Sequence, residues 1–88
     1  MDKNATKNKY STSSFYPACF LLAKGMRLIG IDRTNPHRCE FVFEDSPERE
    51  RLLHDFSFAF DNDPAVLVDA RRLIAAIKML KEKIYEDR

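Results

Sequence analysis

Apolar and polar side chains alternate most regularly over residues 39–44. There Cys39, Phe41 and Phe43 fall on one side of an extended chain, and Glu40, Val42 and Glu44 fall on the other. A period of two predicts a strand with one buried face. Residues 26–32, which include Leu28, Ile29 and Ile31, predict a second arm. The segment between them, Arg33 to Arg38, carries an Asn35-Pro36 pair suited to a turn, so residues 26–43 read as a β-hairpin. Gly30 inside the first arm predicts either a bulge or a helix packed close to the strand.

Helical spacing accounts for most of the rest. Ser13 or Ser14 can cap a helix through Phe15, Phe20 and Leu22 to Lys24, with Pro17 still in its first turn and Gly25 where a left-handed stop is wanted. That segment is apolar nearly all round, which predicts a helix buried on several sides or completed by a partner chain. A second helix is expected to begin at Asp45 or Ser46, with Pro47 and Glu48 as favourable early residues. Leu52, Leu53, Phe56 and Phe60 would form its buried stripe. Phe58 lies off that stripe, so either the helix stops near Ser57 or one phenyl ring is left partly exposed. Asp61 to Pro64 reads as a turn, and Val66-Leu67-Val68 as a brief strand. Asp69 then caps a last helix to about residue 86, with Leu73, Ile77, Leu80 and Ile84 as a seam facing the core or another helix.

Adding a short strand near residues 10–13 gives an α+β domain. Its expected architecture is a small, mainly antiparallel sheet, made of hairpin 26–43 with strands near 10–13 and 66–68, covered by three helices. Residues 1–9 lack periodicity and read as a flexible polar tail ahead of a single compact domain over residues 10–88. The length of 88 residues allows one small core, and a composition 44% hydrophobic and 33% charged fits a globular chain rather than a disordered one. No apolar run approaches the ~20 residues of a membrane span, and the polar start does not read as a secretory signal. Two cysteines without other covalent staples point to a reducing compartment, and so to the cytoplasm.

The runs Cys19 to Gly25, Leu28 to Ile31, Phe41 to Asp45 and Val68 to Arg71 resemble a family of short bacterial and phage proteins catalogued as a domain of unknown function. The similarity covers about residues 10–85. It implies one compact cytosolic domain and carries over no catalytic residue.

The net charge of +1 conceals a split: +5 over residues 1–39, −6 over residues 40–63 and +2 over residues 64–88. Cys19, Cys39, His37 and His54 are the whole Cys/His inventory, without a Cys-x-x-Cys or His-x-x-x-His pair, so no metal site is expected. A disulfide between Cys19 and Cys39 is geometrically conceivable but disfavoured by the expected compartment. His54 and Asp55 are helix neighbours aimed at different faces, and two glycines cannot build a phosphate cradle. No enzyme, cofactor or small-molecule substrate is therefore expected. The reading is a non-catalytic binding module that contacts nucleic acid through Arg27, Arg33, His37 and Arg38 on a basic hairpin tip. The rival is a protein-interaction or homodimerisation module that uses Leu73, Ile77, Leu80 and Ile84.

Overall fold

A computed structural model describes residues 8–85. Three strands form one antiparallel sheet in the order β1-β3-β2: β1 (Lys9–Thr12), β2 (Leu28–Asp32) and β3 (Glu40–Glu44). Three helices accompany it: α1 (Phe15–Ala23), α2 (Arg49–Phe58) and α3 (Ala70–Tyr85), with a 3₁₀ turn, Pro64–Val66, before α3. The fold is thus α+β, with the expected hairpin at its centre. Phe41 and Phe43 are buried on the inner face of β3, and their strand partners Thr12 and Tyr10 lie beside them on β1.

The hairpin shows why Gly30 sits where it does. Leu28 pairs with Phe43, but the next pair on β3, Val42, meets Gly30, so Ile29 is the extra residue of a bulge. The bulge lets Leu28 and Ile31, three residues apart, both pack on the core beside Phe43 and Phe41, which are two apart. In a regular strand they would face opposite ways. No helix presses on Gly30, since a Cβ built there meets nothing within 4 Å. Of the two expectations for this glycine, the bulge is the one realised.

Helix α1 is the element the others surround. Ala18, Cys19, Phe20 and Leu21 are consecutive and all buried, because α2 and α3 both pack on α1 and the sheet core closes over it. Its apolar circumference is therefore largely covered by its own chain. Ser14 occupies the N-cap position, where its carbonyl accepts from the Ala18 amide at 3.2 Å while its side chain makes no capping bond. The helix ends in a Schellman arrangement. The Met26 amide donates to the Leu21 carbonyl, the Gly25 amide donates to the Leu22 carbonyl (both 3.0 Å), and Gly25 has φ +106°. Met26 and Leu21 are both buried, as the apolar contact of that motif requires.

Two expectations are corrected. Val66-Leu67-Val68 is not a strand. The Asp63 carboxylate accepts from the Ala65 amide at 2.8 Å, and Pro64 starts a 3₁₀ turn packed against α2, so Val66 is drawn into the turn and residues 67–69 run as coil. Phe60 is not on a buried stripe, and Phe56, expected on the same stripe, is 39% exposed. Helix α2 ends at Phe58, and the extended backbone at Ala59 carries Phe60 into solvent, where it is 86% exposed. Phe58 is also outside the core, 73% exposed and stacked 5.0 Å from the His54 ring.

Local chemistry anchors the two remaining helix starts. Asp69 accepts from the amides of Arg71 (2.8 Å) and Arg72 (3.2 Å), the capping role expected of it. Before α2, the Ser46 hydroxyl accepts from the Glu48 amide and donates to the Glu48 carboxylate. Asp45 holds Arg49 through both carboxylate oxygens, at 3.0 and 3.2 Å, and the Arg49 guanidinium lies 4.2 Å from the Tyr10 ring centroid. That stack ties the start of α2 to β1. Of the tail, Lys9 is the first residue of β1, and the Asn8 carbonyl accepts from the Asp45 amide; residues 1–7 lie outside the described residues.

Candidate functional site

The basic residues expected at the hairpin tip do not all lie at one end of the hairpin. Arg33 is directed at the end of α3, where Nη2 donates to the carbonyls of Lys83 and, at 2.9 Å, Ile84. Both carbonyls lie in the last described turn of α3, where a cation suits the negative end of the helix dipole. Arg38 Nε donates to the Ser13 hydroxyl at 3.1 Å and so fastens the return arm to the segment before α1. Arg27 precedes β2 at the other end of the hairpin, roughly 20 Å from Arg33 at ~3.3 Å per residue. It lines a polar cleft together with Lys24, Arg51, Glu44 and Glu48. His37 is exposed in the turn, where its amide donates to the Asn35 side chain.

The α3 seam is only partly covered by its own chain. Leu80 is 0% exposed, and Leu73, Ile77 and Ile84 are half-buried and packed against the same core. As for the sulfur and imidazole groups, Cys19 is buried and Cys39 half-buried, both as free thiols, while His37 and His54 are exposed. Among the described residues no three His, Cys, Asp or Glu side chains are grouped as a metal site would require.

Two concavities remain as candidates. The polar cleft, about 540 Å³, mixes cations with the carboxylates of Glu44, Asp45 and Glu48, so no single charge dominates it. The other is an apolar groove of about 450 Å³ over α1, between α2 with its 3₁₀ turn and α3. Its floor is Cys19 and Phe20, one wall is Phe56, Ala59 and Val66, and the other is Leu73 and Ile77. Val68 and Asp61 complete it, and Tyr16 stands on its rim, 69% exposed. The Phe56 ring lies 4.9 Å from that of Phe20, which fixes α2 at the groove's edge.

The groove's chemistry suits contact rather than bond-making. Only Tyr16, Cys19 and Asp61 of its lining carry ionisable groups. Burial pushes the Cys19 thiol above its ordinary value, opposed by a backbone hydrogen bond and by the charge of Lys81. A thiol held protonated is a small hydrophobe and not a nucleophile. Apolar walls with one acidic rim position can accept an apolar surface and orient it weakly.

Sequence reasoning did not assemble this groove. Phe56, Val66, Val68, Leu73 and Ile77 were all visible as apolar positions, but they were divided among a helix stripe, a strand and a second helix seam. The one available signal was surplus: more apolar faces than a small domain can hide.

Sheet, central helix and apolar groove define a small α+β domain. The chain belongs to the family described as a domain of unknown function, DUF5659, whose model matches residues 7–86. Comparison with curated proteins found no match, and neither did comparison with solved structures. Among the described residues, no helix is long and apolar enough to cross a membrane.

Proposed function

We propose that this domain is a non-catalytic protein-interaction module and that the groove over α1 is its docking surface. The observation that carries the reading is an open apolar concavity of about 450 Å³, with the Phe56 ring in one wall and the exposed Tyr16 ring on its rim. Apolar surface of this kind, concave and rimmed by aromatic side chains, is what protein partners bury at the centre of an interface. The nucleic-acid reading of the hairpin is the second choice on geometry: Arg33 and Arg38 are exposed but each holds a hydrogen bond to another segment of the chain, and Arg27 is at the far end.

An environment-sensitive apolar dye tests the reading. Dilute protein is expected to take up dye saturably at one site, and uptake is expected to fall in Tyr16→Lys and Val68→Lys with the circular-dichroism spectrum unchanged. Absence of uptake at any dilution would remove the groove as a docking surface. Retention of duplex DNA or RNA at low salt, lost in an Arg27→Ala/His37→Ala variant, would return the function to the hairpin.

A further inference from the structure

We infer that the outward face of α3 is a second contact surface and that its partner is duplex DNA, held through the phosphates on either side of the major groove. The inference does not depend on the groove over α1, and either can fail alone.

Helix α3 meets the core with one side only. Leu73 and Ile77 line the apolar groove on one flank, and Ala76 and Met79 meet Leu22 and Ala23 on the other. Ten of its sixteen residues are exposed. At 3.6 residues per turn, Arg71, Ile74, Lys78, Lys81 and Tyr85 fall within about 80° of one another, on the outward side between those flanks. All five are exposed. Residues 69–85 carry five cations against two carboxylates, Asp69 and Glu82. Asp69 caps the helix by accepting from the amides of Arg71 and Arg72, and Glu82 borders the stripe one turn after Lys78. Among the described residues, Arg71, Arg72, Lys78 and Lys81 nevertheless make no side-chain hydrogen bond or ion pair. Arg33, Arg38, Arg49 and Arg51, by contrast, each hold one. Glu86 and Asp87 follow in sequence beyond the described residues, so the positive part of the stripe runs from Arg71 to Lys81.

Uncommitted cations spread over about 15 Å of helix, from Arg71 to Lys81 at ~1.5 Å per residue, suit a polyanion rather than a single small anion. The shape suits a duplex. A helix with its side chains is about 10–12 Å across, and the major groove of B-form DNA is about 12 Å wide with phosphates along both edges. Lys81 lies at one border of the stripe, and Arg71 with Lys78 at the other, so cations face both edges. Ile74 and Tyr85 lie between them, toward the base edges, where an apolar group can meet a thymine methyl. Two other partners fit less well. Protein interfaces are depleted of Lys, which supplies two of the three cations in the stripe. A membrane takes up the apolar face of an amphipathic helix, and that face of α3 is turned inward, with Leu80 in the core beside Leu21 and Phe41. Arg71 is the stripe's one side chain suited to bidentate base contact, so binding is expected to be largely independent of sequence.

Fluorescence anisotropy with a short labelled DNA duplex of mixed sequence tests the inference. Wild type is expected to bind with a dissociation constant of about 10⁻⁴–10⁻⁶ M, tightening as salt is lowered. Neutralising three phosphates predicts a slope of about −2.7 for log K against log salt. The double variant Lys78→Gln/Lys81→Gln is expected to bind more than about tenfold more weakly at low salt and to lose about two units of that slope, with an unchanged circular-dichroism spectrum. Arg71→Ala is expected to lose about one unit, and serves if the double variant misfolds. Arg27→Ala/His37→Ala, on the hairpin, is expected to bind like wild type. No binding at low salt, α3 variants that bind like wild type, or loss confined to the hairpin variant would each overturn the inference. So would equal affinity for an RNA duplex, whose major groove is too narrow to admit the helix. Capture of phosphatidylserine-rich vesicles or of polyglutamate in place of DNA would assign the stripe to a membrane or an acidic protein, and overturn it as well.

Discussion

Truncating Leu80 separates a core seam from an interface seam. Its side chain is 0% exposed and belongs to the cluster formed by Leu21, Phe41, Phe43 and Cys19. Leu80→Ala removes the buried isobutyl group and leaves a cavity that the surrounding sheet and helix can fill only in part. Comparable buried Leu→Ala changes cost about 2.7–5.0 kcal/mol, and a fully enclosed site belongs in the upper part of that range, about 3–4 kcal/mol. A chain of 88 residues has a total stability of roughly 4–13 kcal/mol at ~0.05–0.15 kcal/mol per residue, so this single change removes a large fraction. Urea denaturation followed by circular dichroism should show the midpoint falling by about 2–4 M at a slope of ~1–1.5 kcal/mol per molar. The loss should be the same at dilutions where the chain is monomeric. A loss below about 1 kcal/mol, or one that disappears on dilution, would place Leu80 at an interface and refute its assignment to the core.

Other changes test the remaining assignments. Arg33→Ala is expected to lower the thermal midpoint by a few degrees, because the carbonyls of Lys83 and Ile84 lose the guanidinium that ties them to the hairpin; a variant as stable as wild type would show that the bond does not hold the hairpin to the helix. Gly25→Ala is expected to cost about 1 kcal/mol or more through its positive φ, whereas Gly30→Ala, with open space at Cβ, should be neutral or slightly stabilising. Equal effects at the two glycines would contradict the Schellman and bulge assignments. Acid sensitivity follows from three carboxylates held below their usual range: Asp45 by the Arg49 guanidinium, Asp32 by Thr34 and Glu48 by the Ser46 hydroxyl. Because their folded values are lowered, the stability they add is fully present above the ordinary carboxylate range of about pH 4. It is lost as pH falls through the lowered values. A urea midpoint measured from neutrality downward should therefore hold steady and then decline below about pH 4. Asp45→Asn should shallow that decline, and an unchanged profile would sink the assignment.

The sequence by itself determined the local elements, because their causes are local. Period-two alternation placed Phe41 and Phe43 inward, Gly25 marked the end of α1, and the Asp69 carboxylate announced the start of α3; each depends on residues within one turn or one strand of itself. Only the tertiary structure decided how those elements were used. Whether Gly30 meant a bulge or a close approach depended on what lay above it. Whether Val66 joined a sheet depended on Asp63 and on α2, which turned it into a 3₁₀ turn instead. The arginines of the hairpin stand close together in sequence, but only the fold brings the end of α3, some 50 residues away in the chain, against Arg33. The groove is the strongest case, since its floor and walls come from three helices distant in sequence. A concavity exists only between elements that have already packed, and the pattern of any one element carries no trace of it.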